Sequence, residues 1–329
     1  MCTAALRAYR RTGADPIFGD PRGYHGVAME GYFWRLTQPA RGEVVIVIAA
    51  VCRDADGGRW GLATLAAHPG GAVCAATLPE AEAGRRGLRL RLAREGRTVF
   101  EASEERLRAD LGPAARIDVA FERRRGWPRR AVFGGIGPAH AVPGLSQYWH
   151  PHLLHGSARG DAVVGGRPHA LDGASVYAEK NWGAGGMPDH WFWGQAHAFD
   201  RQDACVAFAG GRAGLGPLHV PAAALVVSLG ETTLRLVQPT GLLRARAQDG
   251  AWHLRGRTGR HVVDVEGEAN GSVPHLLPVP LPPERRRRDG AAAQHLAGRL
   301  EVRVRRRGRT VFAGTSELAG LELGRGGRD

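Results

Sequence analysis

After a polar entry segment, apolar and polar residues alternate along much of this chain with the period of two that marks half-buried strands, in two units without helical periods. In residues 23–38, GYHGVAMEGYFWRLTQ, Tyr32 and Trp34 fall on one strand face, Phe33 and Arg35 on the other. Residues 44–51 form a β-branched apolar run; the turn-rich stretch 54–58 and a second run at 60–67 complete a hairpin. The DADGG turn lacks the further ligands of a calcium loop and reads as a plain turn. From Leu88, LRLRLAREGRTVFEAS alternates apolar and basic residues, turns at Glu95 and Gly96, and returns as a second hairpin. Residues 116–122 predict another strand, 127–144 a long Gly/Pro-rich loop, and strands resume at 148–154, 161–164 and 176–180.

The second half supplies strand after strand: WFWGQAHAF, ACVAFAGG, AALVVSLGETTLRLV, GLLRARAQ, AWHLRGR and HVVDVEGEA. Residues 274–289, PHLLPVPLPPERRRRD, predict a proline-rich connection outside any sheet. The closing segment repeats an earlier one: residues 88–112 align without gaps on 300–324, GRTVF being identical in both. The triplet Tyr32-Phe33-Trp34 likewise matches Trp191-Phe192-Trp193 in style. These correspondences predict two related β-domains, 20–182 and 183–329, each an antiparallel barrel or strongly curved sheet. A barrel of that size has room for one small ligand, so capture of a hydrophobic molecule is the physical default.

Composition sharpens the picture at one place. The 48 glycines and 20 prolines suit many turns between short strands. The net charge of +13 would suit nucleic acid or an anionic membrane. However, the arginines are spread along the chain with no nucleic-acid motif, so no nucleic-acid partner is expected, while peripheral contact with acidic lipid stays open. Cys2, Cys52, Cys74 and Cys205 lie too far apart in sequence for a metal-ligand spacing and suit reduced cytosolic thiols. With no apolar leader and no run long enough to span a bilayer, a cytoplasmic chain, at most membrane-peripheral, is expected. Among 45 basic residues Lys180 is the only lysine, and it adjoins Asn181, one of two asparagines. In so Arg-rich a chain, a Lys-Asn pair beside Tyr177, Glu179 and three tryptophans marks a candidate site.

The residues around that pair carry a family resemblance. SVYAEKNWG followed by WFWGQ resembles the signature of the tocopherol cyclase family, and GYHGVAMEGYFWRL resembles its N-terminal block; YWHPHLLHGSARGD and the closing TSELAGLELG are similar more faintly. The chain departs from the usual pattern at Met29, at Tyr32 and in the link from Ala184 to Met187. The resemblance implies an all-β fold of two tandem lipocalin-like antiparallel β-barrels. It further implies cofactor-independent closure of a chromanol ring on a prenylated quinol. A related non-catalytic alternative is a lipocalin-like carrier of an isoprenoid or other hydrophobe.

Such closure requires a proton for a trisubstituted alkene, protection of a tertiary cation, and a phenol oxygen held beside it. A carboxylic acid kept protonated by burial suits the first task. An extended signature puts Tyr177, Glu179 and Asn181 on one face and Lys180 and Trp182 on the other. Glu179 is the first candidate donor and Glu30 the second; Lys180 could orient the phenol, tune a neighbour or pin the link between domains. Aromatic faces attract a cation by about 0.5–2 kcal/mol. Trp191 and Trp193, with Gln195 continuing their face, and Tyr32 and Trp34 are candidates for that role, with Trp149 and Trp182 beside them. His150 and His152 could start a metal site but lack a third ligand, so no metal is expected.

Overall fold

The computed structural model describes residues 2–216 and 218–325. A short nine-residue helix, α1 (Cys2–Arg10), precedes the strands in a segment that reads as merely polar. The first sheet holds β1 (Met29–Gln38), β2 (Glu43–Arg53), β3 (Arg59–His68), β4 (Val73–Leu78), β5 (Glu80–Ala83), β6 (Arg89–Arg94), β7 (Arg97–Ser103), β8 (Arg106–Asp110), β9 (Ala115–Gly126), β10 (Tyr148–Val164), β11 (Arg167–Ala170) and β12 (Ser175–Gly183). The second holds β13 (His190–Ala196), β14 (Ala204–Leu215), β15 (Leu218–Leu229), β16 (Thr232–Leu236), β17 (Leu242–Gln248), β18 (Ala251–Thr258), β19 (His261–Glu268), β20 (His275–Leu281), β21 (Arg286–Arg306) and β22 (Arg309–Arg325).

Every pairing is antiparallel, and each sheet is a meander whose first strand also pairs with its last: β1 with β12, β13 with β22. The first sheet curls into a nearly closed barrel, β5 folding back against β3. Trp34, Leu36, Val47, Leu65, Phe100 and Ile117 fill its interior, while Phe208, Leu225, Trp252, Val265 and Leu300 fill the second. The fold is all-β and lipocalin-like. Among the described residues no helix is long and apolar enough to cross a membrane.

Three expectations change. Counting outward from the first strand, the orders β1-β12-β10-β9 and β13-β22-β21-β19 superpose, so β21 and β22 hold the places of β10 and β12. The GRTVF repeat instead links β6–β7 to β21–β22, which are not equivalent; two Arg-rich hairpins with a shared turn sequence produced the match. The prolines of 274–289 do enter a sheet. β20 pairs only with β21, and a register shift lies between Leu277 and Val279, so Pro278 and Pro280 sit on an edge strand with a bulge, where a missing N–H is tolerated. Finally, the two strands expected at 148–154 and 161–164 are one 17-residue strand, bent by bulges around Leu153.

Two buried cations fix how β1 and β12 sit. Lys180 Nζ lies 2.6 Å from Glu30 Oε2, both side chains fully buried, and also donates to Gly23 O at 2.8 Å. Glu30 accepts the backbone N–H groups of His25 and Gly26, His25 contacts Asp15 at 2.8 Å, and Arg10 reaches Asp15 at 3.1 Å, so residues 10–26 are tied across the end of the first barrel. Burial alone would raise the Glu30 carboxyl, but the Lys180 ammonium and the His25 donors hold it at about 2. Arg35 points the opposite way, into the seam between the sheets, where Nη2 donates to Leu296 O and Leu318 O at 2.8 and 2.7 Å. Both carbonyls lie at irregular stretches of the β21–β22 ladder, which leave them free to accept.

Removing one partner of a buried pair strands the other charge, at a cost of about 3–5 kcal/mol. Lys180→Met should therefore lower the urea-unfolding free energy by about that amount, and the Lys180→Met/Glu30→Gln double variant should recover much of it. Equal losses in single and double variants would show that the pair is not what anchors these strands.

Candidate active site

Strand alternation divides the signature between two environments. Lys180 and Trp182 face the end of the first barrel: Trp182 stacks between His25 and Tyr148, at 4.7 and 5.3 Å between centroids, and its indole donates to Gly13 O. Tyr177, Glu179 and Asn181 face the seam with Phe33, which is the register partner of Glu179. The seam is where the two sheets leave space, a cavity of about 750 Å³ lined from both sides. Phe33, Ile48, Trp149, Glu179 and Asn181 come from the first sheet; Trp191, Trp193, Ala224, Leu277, Gln294 and Glu322 come from the second. The wall is mostly apolar and aromatic, with few polar groups among them, as expected of a small-molecule site.

Glu179 is the chemically distinctive group. Its Oε2 accepts Tyr177 O–H at 2.5 Å and Trp193 Nε1–H at 2.9 Å, which leaves Oε1 as the oxygen without a protein donor. Trp149 Nε1 is near enough to favour the carboxylate but lies outside hydrogen-bond geometry and has no other partner among the described residues. Burial outweighs these donors and pushes the carboxyl up to about 7, so it carries its proton at mildly acidic pH. Burial, and next the neighbouring Glu179, also raise the Tyr177 hydroxyl, which therefore stays a donor. The Phe33 ring meets Trp193 edge-on at 4.9 Å, giving Glu179 an aromatic surround. Gly31 makes room for Asn181, since a Cβ there would fall 2.1 Å from Asn181 Oδ1.

A second carboxyl shares the cavity. Trp191 Nε1 donates to Glu322 Oε1 at 2.5 Å, an approach that needs Gly324, because a Cβ at 324 would meet the indole at 2.0 Å. Burial first, then the charge of Glu179, raise Glu322 to about 7 despite the Trp191 donor. Sequence reasoning missed it, although Glu322 lies within the TSELAGLELG stretch and its neighbours in β22 are apolar.

The structure thus gathers Glu179, Asn181, Trp149, Trp191 and Trp193 on one cavity, with Tyr177 behind Glu179. It places the others elsewhere. Glu30 is ion-paired with Lys180 on the opposite face of β1 and β12, its carboxyl held at about 2 by the Lys180 ammonium and His25, and neither residue lines the seam cavity. Trp34 belongs to the first barrel's core, and Tyr32 packs beside it at 6.4 Å while bordering the cavity. The aromatic triplets therefore face opposite ways: Trp191 and Trp193 look into the seam, whereas in β1 it is Phe33 that does so. Gln195 is buried behind the wall, donating to Cys205 Sγ at 3.7 Å. Cys52, Cys74 and Cys205 are free thiols; the Cys2 side chain lies outside the described residues. His150 packs against Trp127 and His140, and no three metal-ligating groups converge among the described residues.

Against known proteins, the family model described as tocopherol cyclase-like matches residues 126–325. The chain is 30% identical over 131 residues to a probable chloroplastic tocopherol cyclase of Oryza sativa subsp. japonica, and 28% identical over 134 residues to the chloroplastic tocopherol cyclase of Zea mays. Each match takes in 38% of this chain but only 28% and 27% of those relatives' own length. Among solved structures, CghA with Sch210972 is similar in fold, with a TM-score of 0.59 over 91% of this chain and 88% of that one, at 10% identity.

The elevated Glu179 value has a thermodynamic consequence. Between the ordinary 4.5 and about 7 the native state holds a proton that the unfolded chain releases, so this contribution to stability is complete below pH 4.5 and is lost as the pH rises through 7. Glu179→Gln should accordingly be more stable than wild type at pH 8, with the difference shrinking towards pH 4.5. Urea melts at the two pH values test this, and a pH-independent difference would refute it.

Proposed function

The chain belongs to the tocopherol cyclase-like family, and from that premise we propose that it closes a ring on a prenylated quinol or related isoprenoid, by protonating an alkene and adding the phenol oxygen to the resulting cation. The observation that carries this reading is Glu179: a carboxyl held near pH 7 by burial, inside an apolar cavity large enough for a lipophile. Simple carriage of a hydrophobe needs only apolar walls, and a buried acid there would be a liability, costing desolvation with nothing returned.

Each requirement of the reaction finds a group. Two donors on Oε2 leave Oε1 to carry the proton and present it to the alkene. As the proton leaves, Tyr177 O–H and Trp193 N–H stabilise the carboxylate without having to reorganise, which favours transfer. The faces of Trp149, Trp193 and Phe33 shield the tertiary cation from water and attract its charge. The seam walls hold the chain folded so that the phenol oxygen lies beside the cationic carbon. Proton addition and oxygen attack together make an isomerisation in which no electrons change hands.

Purified protein should convert at least one member of a panel of prenylated quinols to the chromanol isomer, and Glu179→Gln should lower kcat by about 10²-fold or more. A wild type inactive on the whole panel that releases a lipophile on organic extraction would point to carriage instead. Equal activity of wild type and Glu179→Gln would remove Glu179 from the chemistry.

A further inference from the structure

We infer that Glu322 is the base of this site: it takes the proton from the substrate hydroxyl while Glu179 supplies the proton to the alkene, so that two carboxyls from different sheets divide the acid and base roles across one cavity. This rests on the ring-closing reading above and adds the other half of its proton balance.

The placement comes from register. Glu322 in β22 is the pairing partner of Trp193 in β13 on one side and of Gln294 in β21 on the other, so Trp193, Glu322 and Gln294 form a row across three strands. All three line the cavity. The Trp193 indole holds Glu179, so the row runs from the acid, through Glu322, to a buried amide. Gln294 Oε1 has no hydrogen-bond partner among the described residues. Glu322 and Gln294 are thus neighbouring polar groups on the second sheet's wall, suited to a substrate hydroxyl, while Trp149 and Phe33 line the cavity beside Glu179, suited to an alkene and its cation. One oxygen of Glu322 is occupied by Trp191, which leaves Oε2 to accept.

Two carboxyls sharing one low-dielectric space resist ionising together, because the first negative charge opposes the second. Near neutral pH the pair thus holds about one proton, the condition in which one member is an acid and the other a base. The two carboxyls are close enough for the charge of Glu179 to bear on Glu322.

The bonds balance as follows. The Glu179 Oε1–H bond breaks and a C–H bond forms at the less substituted alkene carbon. The hydroxyl oxygen bonds to the tertiary carbon, and its O–H proton passes to Glu322 Oε2. Product is an isomer of substrate, Glu179 is left anionic and Glu322 neutral. After release, Glu322 returns its proton to solvent and Glu179 regains one, which resets the pair with no oxidant or reductant.

The test compares wild type, Glu322→Gln, Glu322→Asp and Glu179→Gln on a prenylated quinol, together with carboxyl ¹³C NMR titration of the substrate-free protein. Glutamine at 322 still accepts from Trp191, and circular dichroism and urea melts check that the fold survives. Glu322→Gln should lower kcat by about 10²-fold with KM little changed, and should abolish the acidic limb of the pH–rate profile while keeping the basic limb set by Glu179. Glu322→Asp should restore part of kcat. In the titration, Glu322→Gln should move the Glu179 midpoint down, because a like charge has gone. Wild type active but Glu322→Gln equal to it, or an unmoved Glu179 midpoint, overturns the assignment alone. Wild type inactive on every quinol overturns the ring-closing reading and this assignment with it.

Discussion

The buried Glu30–Lys180 pair fixes the register on which the rest of the structure depends. A charge removed from water has to find its counterpart, and here Lys180 Nζ and Glu30 Oε2 meet at 2.6 Å with both side chains fully buried. With Lys180 held against Glu30 inside the end of the first barrel, strand alternation obliges Glu179 and Asn181 to face the other way. A slip of one residue in β12 would put an ammonium in the seam and a carboxyl against Glu30. The only lysine in the protein thus bears on the site through register, from the opposite face of β12.

The site then follows from how two barrels pack. Each is packed inside with apolar side chains. The free volume lies instead between the sheets, where Arg35 bridges to carbonyls freed by irregular pairing and Phe33 meets Trp193. A cavity built this way has walls from both halves, which explains why its two carboxyls sit 143 positions apart in the chain yet the charge of Glu179 reaches Glu322. Their environments are related: each is held by an indole of the same strand, β13.

Strands were legible as apolar runs bounded by turns, as in 44–51 and 60–67, or from a period of two, as in 251–258, and so was the division of Tyr177, Glu179 and Asn181 from Lys180 and Trp182. What stayed hidden depended on long-range pairing. Edge position, which admits Pro278 and Pro280 to a strand, is a property of the finished sheet. The shared GRTVF turn marked similar hairpin chemistry without marking equivalent place. Similar triplets gave no sign that Tyr32 and Trp34 would turn inward where Trp191 and Trp193 turn to the seam, because one residue of register decides it. Glu322 was invisible for a further reason: one acid among apolar strand residues looks like any other until an indole and a second carboxyl are brought beside it.

On the ring-closing proposal, substrate lies in the seam with its alkene at Glu179. A crystal structure with a prenylated quinol analogue that binds but cannot cyclise tests it most directly. The alkene position should lie within contact distance of Glu179 Oε1, between Trp149 and Trp193, with the ring hydroxyl towards Glu322. A ligand seated inside either barrel, or reversed in the seam with its ring at Trp149, would contradict it.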